Sequence, residues 1–378
     1  MTAMNEKVTP IKILFVSHSS GLYGGEKCLL TFLENLDRKR FDPIVALPGS
    51  GPLDDAIARL SIPRYDILFP WWVRTNRNIL AIMFSFVKEV VAVIRLCKII
   101  NNERVEIVYT NSIVVFTGAL SARICGRPHF WHVREILVDN PDLFFPLSNK
   151  LLFKLVSSLS QKIVTVSQAV ADQFNRENKA VVVYDGLHTA VPCTEGTTAK
   201  EWRVLVIGSL QRRKAQDDAV YAAKIARERI PNFKLYLIGK GEKQFSRYLQ
   251  NLIEELGLQD VVLLTGHRND IPDFLASSRV LLMPSLAEPS GVVLLEAMAA
   301  AKPVIACRSG GAQEIVEDGV TGFLVPPHDP LALADKIVQL AMNETMAMEM
   351  GRNARRMLET KFTVRAYSQG IERILLDA

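Results

Sequence analysis

The chain alternates short, almost wholly apolar runs with longer stretches in which apolar residues recur every three or four positions. The short runs are rich in valine, isoleucine and leucine. They predict strands at 11–17, 43–47, 105–109, 129–133, 163–166 and 181–184 in the first half, and at 204–207, 233–238, 261–264, 280–283 and 304–306 in the second. A further short strand, followed by a turn and the entry into a helix, is expected within 322–330. Strands that are apolar on both sides are typical of a parallel sheet covered by helices on both faces. The alternation therefore predicts an α/β protein with doubly wound sheets.

The pattern lapses at residues 188–202, which have no periodicity and are rich in threonine, with glycine and proline among them. We interpret this segment as a linker between two Rossmann-like domains, because 378 residues exceed what one compact core usually holds. The domains are predicted at 1–187 and 203–362, and the last helix, 363–378, is expected to pack back on the first. Two such domains are expected to face a central cleft lined by the carboxyl ends of both sheets.

Composition excludes several classes of protein. The net charge of +5 is small for this length and there is no basic tail, so we expect no nucleic-acid partner. The five cysteines form no C-x-x-C pair, which is typical of reduced thiols in the cytoplasm. The first residues show no signal-peptide pattern. We therefore expect a cytoplasmic protein.

Residues 71–98 raise the question of a membrane. Their apolar run is too interrupted to span a bilayer, because it contains Lys88, Glu89, Arg95 and Lys98. Two aromatic and two basic residues of a kind common at membrane interfaces come just before it: Trp71, Trp72, Arg74 and Arg77. Two interpretations stay open, a buried helix with one charged edge and a basic amphipathic helix on an anionic membrane surface.

The richest chemistry lies at residues 284–296. Glu288 and Glu296 are eight positions apart, and between them a Pro-Ser-Gly turn follows a predicted strand and opens a predicted helix. Free backbone N–H groups at such a helix start, at Ser290, favour an anion. An anionic ligand with many hydroxyls, such as a nucleotide-sugar, fits this arrangement. The same unit also occurs in α/β proteins for purely structural reasons.

Three other segments follow predicted strands and are candidates for ligand contact. Gly24 and Gly25 open a helix, although the G-x-G-x-x-G fingerprint is absent and a flexible turn is the alternative. The loop at 208–214 carries three cations that can neutralise a diphosphate or simply be solvated: Arg212, Arg213 and Lys214. His132 ends a strand, where this fold class places ligands.

Missing motifs narrow the chemistry further. No D-x-D sequence occurs, so the usual divalent-metal clamp for a nucleotide diphosphate is absent. There is no zinc spacing, no P-loop and no G-x-S-x-G. We therefore expect neither a metal nor a cofactor.

Together these segments resemble family 4 of the retaining glycosyltransferases, which have the GT-B fold. The second half carries the more specific motifs: the phosphate loop at 208–214, Thr-Gly-His at 265–267, E-x7-E at 288–296, Lys-Pro-Val at 302–304, Ser-Gly-Gly at 309–311 and the turn at 322–327. In the first half, 24–26 and 131–135 look like the family's glycine loop and histidine. The likeness is weak between 50 and 125, where such enzymes vary with their acceptors.

The resemblance implies a role for each matching residue. In the second domain, Glu288 would bind the donor sugar, Glu296 the ribose, and Lys214 the leaving diphosphate. Further nucleotide-sugar contacts would come from Gly266 and His267 at the base and from the amides of Gly291, Val292 and Val293 at the phosphates. In the first domain His132 would lie near the reacting sugar, and Gly24 and Gly25 near the diphosphate or the acceptor.

Two positions depart from the family pattern. Ser209 stands where arginine is common, and Arg212 or Arg213 is the possible replacement. Ala215 stands where glycine is usual.

The implied activity is transfer of a sugar, with retention, from a nucleotide-diphosphate sugar to a hydroxyl of a sugar or lipid-linked acceptor. Such a reaction belongs to surface polysaccharide or glycolipid synthesis, at or near the inner face of the membrane. One alternative, suggested by Ser209, is a catalytically silent GT-B protein that binds a nucleotide-sugar or glycan. Another is a different GT-B enzyme, a phosphorylase or a sugar epimerase.

Overall fold

The computed structural model of the chain describes residues 9–73, 79–138, 140, 143, 145, 148–174, 179–188 and 200–378, with only the backbone for 79–85. The chain divides into two compact units, unit 1 (Met1–Tyr184 with Val364–Ala378) and unit 2 (Asp185–Thr363). Most of the predicted linker 188–202, together with Arg74 and Arg77, lies outside the described residues.

Unit 1 contains a seven-stranded parallel sheet in the order β3-β2-β1-β4-β5-β6-β7. Its strands are β1 (Ile11–Ser17), β2 (Phe41–Leu47), β3 (Arg64–Asp66), β4 (Ile107–Asn111), β5 (His129–Val133), β6 (Lys162–Thr165) and β7 (Ala180–Val182). Its first six helices are α1 (Gly24–Asn35), α2 (Pro52–Arg59), α3 (Ile79–Asn102), α4 (Thr117–Ile124), α5 (Asn149–Leu159) and α6 (Gln168–Ala171).

Unit 2 contains a six-stranded parallel sheet in the order β10-β9-β8-β11-β12-β13. Its strands are β8 (Trp202–Ile207), β9 (Phe233–Ile238), β10 (Val262–Gly266), β11 (Val280–Met283), β12 (Val304–Cys307) and β13 (Gly322–Val325). Its helices are α7 (Gln216–Ala226), α8 (Lys243–Glu255), α9 (Ile271–Ala276), α10 (Val292–Ala299), α11 (Ala312–Ile315), α12 (Pro330–Met342) and α13 (Glu344–Lys361). Apolar cores on both faces of the sheet confirm the doubly wound prediction.

Each predicted strand overlaps an observed one, although several bounds differ by one or two residues. β3 was not predicted, because it is a three-residue edge strand whose residues are partly or fully exposed and carry no apolar run. β4 extends two residues beyond the apolar run, into Thr110 and Asn111. Both polar side chains are buried there because each has a partner: the Thr110 hydroxyl lies 2.8 Å from His129 Nε2, and the side-chain Oδ1 of Asn111 accepts from Arg134 Nε at 3.0 Å.

The last helix, α14 (Val364–Leu376), belongs to unit 1. Its Tyr367 is 2% exposed, packs its ring against Phe32 and donates from its hydroxyl to the carbonyl of Cys28 at 3.3 Å. Its Glu372 accepts a hydrogen bond from the Asp37 amide at 2.8 Å. These contacts attach the end of the chain to α1 and to the loop after it.

Helix α3 has two apolar sides, which differs from one of the two interpretations left open, a buried helix with one charged edge. One side enters the core of unit 1 through Ala92, Leu96 and Ile100. The opposite side is exposed and carries Phe86, Val87, Val90, Val91 and Ile94, with Lys88, Arg95 and Lys98 beside them. At 3.6 residues per turn the exposed apolar side chains span an arc of about 140°. None of the helices in the described parts of the chain has the length and apolar character that crossing a bilayer requires.

The backbone is left-handed at Ala215, between a 3₁₀ turn (Arg212–Lys214) and α7. Its φ is 46° and ψ 45°, and its side chain is buried. This conformation brings the Cβ of an L-residue too close to its own carbonyl oxygen, and glycine lacks that contact. The departure from the family pattern at this position therefore carries backbone strain.

We expect Ala215→Gly to raise the free energy of unfolding by about 0.5–1 kcal/mol, because relief of the left-handed strain exceeds the added entropy of the unfolded chain. Chemical denaturation measures the change. Ala222→Gly, in the middle of α7, is the matched control and should lower the free energy of unfolding by about 1 kcal/mol. Equal destabilisation by both substitutions would contradict the strain at Ala215.

Candidate functional site

The candidate site of unit 2 lies where the strand order of its sheet reverses. β8 and β11 are neighbours there, and the loops that follow them leave the sheet at its carboxyl edge. The amide of Leu286, in the second loop, donates to the carbonyl of Arg213, in the first, at 2.8 Å. The fold therefore joins the cationic loop and the E-x7-E segment, as expected for a ligand site at the topological switch point.

Lys214 and Glu288 form an ion pair between these loops, and both side chains are largely buried, with 15% and 12% of their surface exposed. Burial by itself favours the neutral form of Glu288. The charges of Lys214 and Arg213 and the Gly291 amide outweigh it and hold the pKa of the Glu288 carboxyl below its usual range. Glu288 is therefore a carboxylate at neutral pH.

The structure distinguishes the two arginines that were candidates to compensate for Ser209. The Arg212 guanidinium packs over the rings of Phe245 and Tyr248, at 5.9 and 5.7 Å from their centres, and is directed towards α8. Arg213 is instead the arginine whose charge lowers the pKa of the Glu288 carboxyl. The backbone carbonyl of Ser209 accepts a hydrogen bond from Nε2 of the buried Gln216 side chain at 2.9 Å.

Gly291 forms the turn that starts α10. Its φ is +72°, and a Cβ built on it would stand 2.8 Å from the Leu294 side chain, so both backbone conformation and space favour glycine. Its carbonyl accepts from the Leu294 amide at 2.7 Å, while its own amide helps to lower the pKa of the Glu288 carboxyl. Of the three amides predicted to hold phosphate, that of Gly291 thus acts on a carboxylate of the protein. Val292 and Val293 follow in the first turn of α10.

The backbone of Glu288 is fixed from a third side by the loop after β12. The Gly311 amide donates to the Glu288 carbonyl at 2.7 Å, and the Ser309 hydroxyl donates to the Ser285 carbonyl at 2.7 Å. A Cβ on Gly310 would lie 2.3 Å from the Glu288 carbonyl oxygen. The Ser-Gly-Gly motif at 309–311 therefore allows its own backbone to lie close to the backbone of Glu288.

The remaining predicted residues of unit 2 lie at the same sheet edge. Ser290 and Glu296 are partly exposed, in the turn before α10 and in its second turn. Gly266 ends β10 with φ +70° and is followed by the exposed His267.

Sequence reasoning missed Gly239, which directly follows β9. Its amide donates to the Gly266 carbonyl at 2.9 Å, and a Cβ on it would stand 1.9 Å from the Gly208 carbonyl oxygen. Gly239 thus keeps the loops after β8, β9 and β10 close together. The sequence signal that could have identified Gly239 is a glycine immediately after an apolar strand.

In unit 1, His132 lies near the carboxyl end of β5, as predicted, but its side chain is only 1% exposed. Nδ1 lies 2.7 Å from the Tyr109 hydroxyl, and the buried Nε2 has no hydrogen-bond partner among the described residues. Burial, with a smaller effect of the Arg134 charge, holds the pKa of His132 well below its usual range. His132 is therefore a neutral, buried residue at the end of β5, and its contact with a reacting sugar stays a prediction.

Gly24 and Gly25 begin α1 after β1. A Cβ on Gly24 would meet nothing within 4 Å, whereas one on Gly25 would stand 3.2 Å from Arg134 Cδ. The Gly25 carbonyl accepts from the Asn111 side-chain amide at 3.3 Å. Within unit 1, then, the residue that reaches the glycine loop from the end of β5 is Arg134.

Two family models match consecutive parts of the chain. Glycosyltransferase Family 4 matches residues 23–191, and Glycosyl transferases group 1 matches residues 194–357. The two matches together cover most of both units.

Individual proteins give the same result. The N-acetyl-alpha-D-glucosaminyl L-malate synthase of Bacillus anthracis is 34% identical over 183 residues, which are 48% of this chain and 47% of that protein. The UDP-Gal:alpha-D-GlcNAc-diphosphoundecaprenol alpha-1,3-galactosyltransferase of Escherichia coli is 25% identical over 99% of both chains. The chain thus spans about half the length of the first relative and nearly all of the second.

Among solved structures, Anabaena Alr3699/HepE in complex with UDP-glucose matches with a TM-score of 0.80 and 25% identity, over 97% of this chain and 100% of that one. The two parallel-sheet units are those of the GT-B fold. The chain belongs to family 4 of the glycosyltransferases.

Proposed function

We propose that the protein transfers a sugar, with retention of anomeric configuration, from a nucleotide-diphosphate sugar to a hydroxyl of a sugar or lipid-linked acceptor. The reaction uses neither metal nor cofactor and serves the synthesis of a surface polysaccharide or glycolipid. The observation that carries this proposal is the Lys214–Glu288 ion pair at the switch point of unit 2, next to the start of α10.

The charges around this pair suit a diphosphate and a sugar together. Lys214, Arg213 and the amides of Val292 and Val293 supply positive charge and N–H donors at one end of α10. Glu288 supplies a carboxylate that accepts hydrogen bonds from sugar hydroxyls, and Glu296, in the second turn of α10, accepts from the ribose hydroxyls.

The proposed reaction needs charge stabilisation more than an acid–base pair. The bond from the anomeric carbon to the diphosphate oxygen breaks, and a bond to the acceptor oxygen forms on the same face. The proton of the acceptor hydroxyl passes to the departing diphosphate. Negative charge therefore grows on the diphosphate, where Lys214 and Arg213 stabilise it in the transition state.

The relatives indicate which donors to test first. The Escherichia coli enzyme is named for UDP-Gal and a diphosphoundecaprenol-linked acceptor, and the Anabaena structure contains UDP-glucose. We infer that a uridine diphosphate sugar is the donor and that the acceptor is lipid-linked.

A panel of nucleotide-sugars should identify the donor by thermal stabilisation, and the best one should be slowly hydrolysed or transferred. Because the D-x-D clamp is absent, EDTA should leave both binding and turnover unchanged. Loss of activity in EDTA with rescue by Mn²⁺ would contradict the metal-free site. Binding without any hydrolysis or transfer, over a range of acceptors, would favour the catalytically silent alternative.

We expect Glu288→Gln and Lys214→Ala to change the affinity for UDP in opposite directions. The Glu288 carboxylate competes with the diphosphate for Lys214, so Glu288→Gln should tighten UDP binding by several-fold and at the same time reduce sugar transfer. Lys214→Ala removes a charge-assisted contact and should weaken binding by about 1.5–3 kcal/mol. Calorimetry measures both, with Lys224→Ala on the exposed side of α7 as control. Weaker UDP binding in both variants would argue against the competition.

The exposed side of α3 supports the proposal that this reaction takes place at a membrane surface. It combines bulky apolar side chains, including Phe86 at 73% exposure and Ile94 at 51%, with the cations Lys88, Arg95 and Lys98. Each basic residue near an anionic leaflet contributes on the order of 1 kcal/mol, and apolar side chains add burial in the headgroup region. We propose that this side of α3 rests reversibly on the anionic inner face of the membrane.

Flotation with phosphatidylglycerol vesicles at low salt should therefore recover the protein, and phosphatidylcholine vesicles should not. Phe86→Asp with Ile94→Asp should abolish flotation, and Lys88→Gln with Arg95→Gln and Lys98→Gln should reduce it and its salt sensitivity. Leu331→Asp, at an exposed leucine of unit 2, is the control. Failure of the wild type to float, or a wild-type dimer that Phe86→Asp with Ile94→Asp converts to monomer, would assign this surface to a different role.

A further inference from the structure

Two cysteines of unit 1 lie on neighbouring helices. Cys97 is in α3, and Cys125 directly follows Ile124, the last residue of α4. Both are free thiols of partly exposed residues, whereas Cys28 and Cys307 are buried, at 3% and 1% exposure. Within the described parts of the chain, Cys97 and Cys125 are therefore the cysteines that a reagent in solution reaches first.

The contacts between α3 and α4 set the register of the two helices. Glu89 of α3 accepts a hydrogen bond at 3.0 Å from the hydroxyl of Thr117, the first residue of α4. Eight residues further along α3, Cys97 Sγ donates to the Ser121 carbonyl of α4 at 3.9 Å. Both contacts advance in the same direction, so the helices run parallel. Cys125 also lies eight residues after Thr117, so an equal rise along both helices places it opposite Cys97.

The Cys97 thiol and the Cys125 backbone meet at one carbonyl oxygen. The Ser121 carbonyl that accepts from Cys97 Sγ also accepts from the Cys125 amide, at 3.0 Å. Buried alanines of both helices, Ala92 and Ala122, belong to the same apolar core, so the helices pack directly on each other. Axes of packed helices lie about 8–10 Å apart, which leaves facing Cα atoms about 4–6 Å from each other. A disulfide needs much the same spacing, about 4.4–6.8 Å.

The pKa of the Cys125 thiol agrees with this placement. Burial raises it to about 11, the Cys97 thiol adds to the increase, and the Arg127 charge opposes it. One thiol affects the other in this way only if the two are neighbours. Because the thiolate is the reactive form, Cys125 reacts slowly at neutral pH and faster as the pH rises.

We propose that Cys97 and Cys125 form a modification site, a dithiol that a low-molecular-weight disulfide such as glutathione disulfide converts to an intramolecular disulfide. One cysteine thiolate attacks a sulfur of the small disulfide and releases a first small thiolate. The other cysteine then attacks the mixed disulfide and releases the second. In the protein two S–H bonds are replaced by one S–S bond, and two electrons and two protons pass to the small disulfide, which leaves as two thiols.

The bridge would make the position of α3 depend on the redox state of these thiols. It joins α3 to the end of α4, so α3 can separate from α4 only when the bridge is reduced. The site lies entirely within unit 1 and is independent of the proposed sugar transfer.

Treatment of the full-length protein with glutathione disulfide at about pH 8.5, where thiols react faster, tests the assignment after alkylation and peptide mass spectrometry. The wild type should lose two of its five alkylatable thiols and yield a peptide pair joined through Cys97 and Cys125, which dithiothreitol separates. Cys97→Ser and Cys125→Ser should form no intramolecular bridge and carry at most a mixed disulfide with glutathione. Cys193→Ser, at the cysteine outside the described residues, should form the bridge as the wild type does.

Protein unfolded in guanidinium is the matched control for the role of the fold. It should give a mixture of bridges among the five cysteines, because nothing then aligns Cys97 with Cys125. The same mixture from the folded protein would overturn the proposal. So would separate mixed disulfides without a bridge, a bridge to Cys193 or to a second molecule, or no reaction at either thiol. The joined residues are identified in the wild type itself, so the result does not depend on the stability of a variant.

Discussion

An ionised carboxylate that is largely removed from water is the constraint on which the site of unit 2 depends. Without compensation, burying the charge of Glu288 would be unfavourable by several kcal/mol. Compensation comes from Lys214 and Arg213 in the loop after β8 and from the amide of Gly291 at the start of α10. The two loops can supply it only if they meet, so the charge requirement and the switch-point topology specify the same arrangement.

The close backbone contacts follow from this requirement. Gly310 allows the loop after β12 to approach the Glu288 carbonyl, and Gly239 allows the loop after β9 to approach Gly208. Side chains at either position would push the loops apart and lengthen the ion pair. The donors that hold Glu288 are also those suited to a diphosphate, so binding exchanges one set of ionic contacts for another. Because of this exchange, the net affinity for a diphosphate is smaller than its contacts alone suggest. The cations, however, are already oriented before the diphosphate binds.

The fold was predictable from the sequence because strands buried on both faces read as continuous apolar runs, as in β1 or β11. Only β3 lacked that signal, since an edge strand of three residues buries little. In the site, the E-x7-E segment and the cationic loop were predicted and do lie together. Periodicity also placed His132 correctly at the end of β5. It could not show that the ring is enclosed by Tyr109 and Tyr367, because those neighbours come from distant parts of the chain.

The difference between Arg212 and Arg213 has a similar origin. Both are cations in one turn, and only the position of Phe245 and Tyr248 on α8 decides which of them packs on aromatic rings. The left-handed backbone at Ala215 was likewise invisible to composition, because alanine carries no conformational signal of the kind that glycine gives.

The position of α14 bears on how the protein is made. In the sequence, unit 2 is one continuous segment inserted between the two parts of unit 1. The start and the end of this segment lie close together in space, because the Leu187 amide donates to the Phe362 carbonyl at 3.1 Å. During synthesis from the N-terminus, all of unit 2 emerges from the ribosome before α14 does, so unit 2 can fold while unit 1 still lacks its last helix. Until α14 arrives, the apolar surface around Phe32 that Tyr367 covers remains exposed. The first unit to begin is thus the last to be completed, and a chain that stops before residue 364 would leave a surface open to chaperones and proteases.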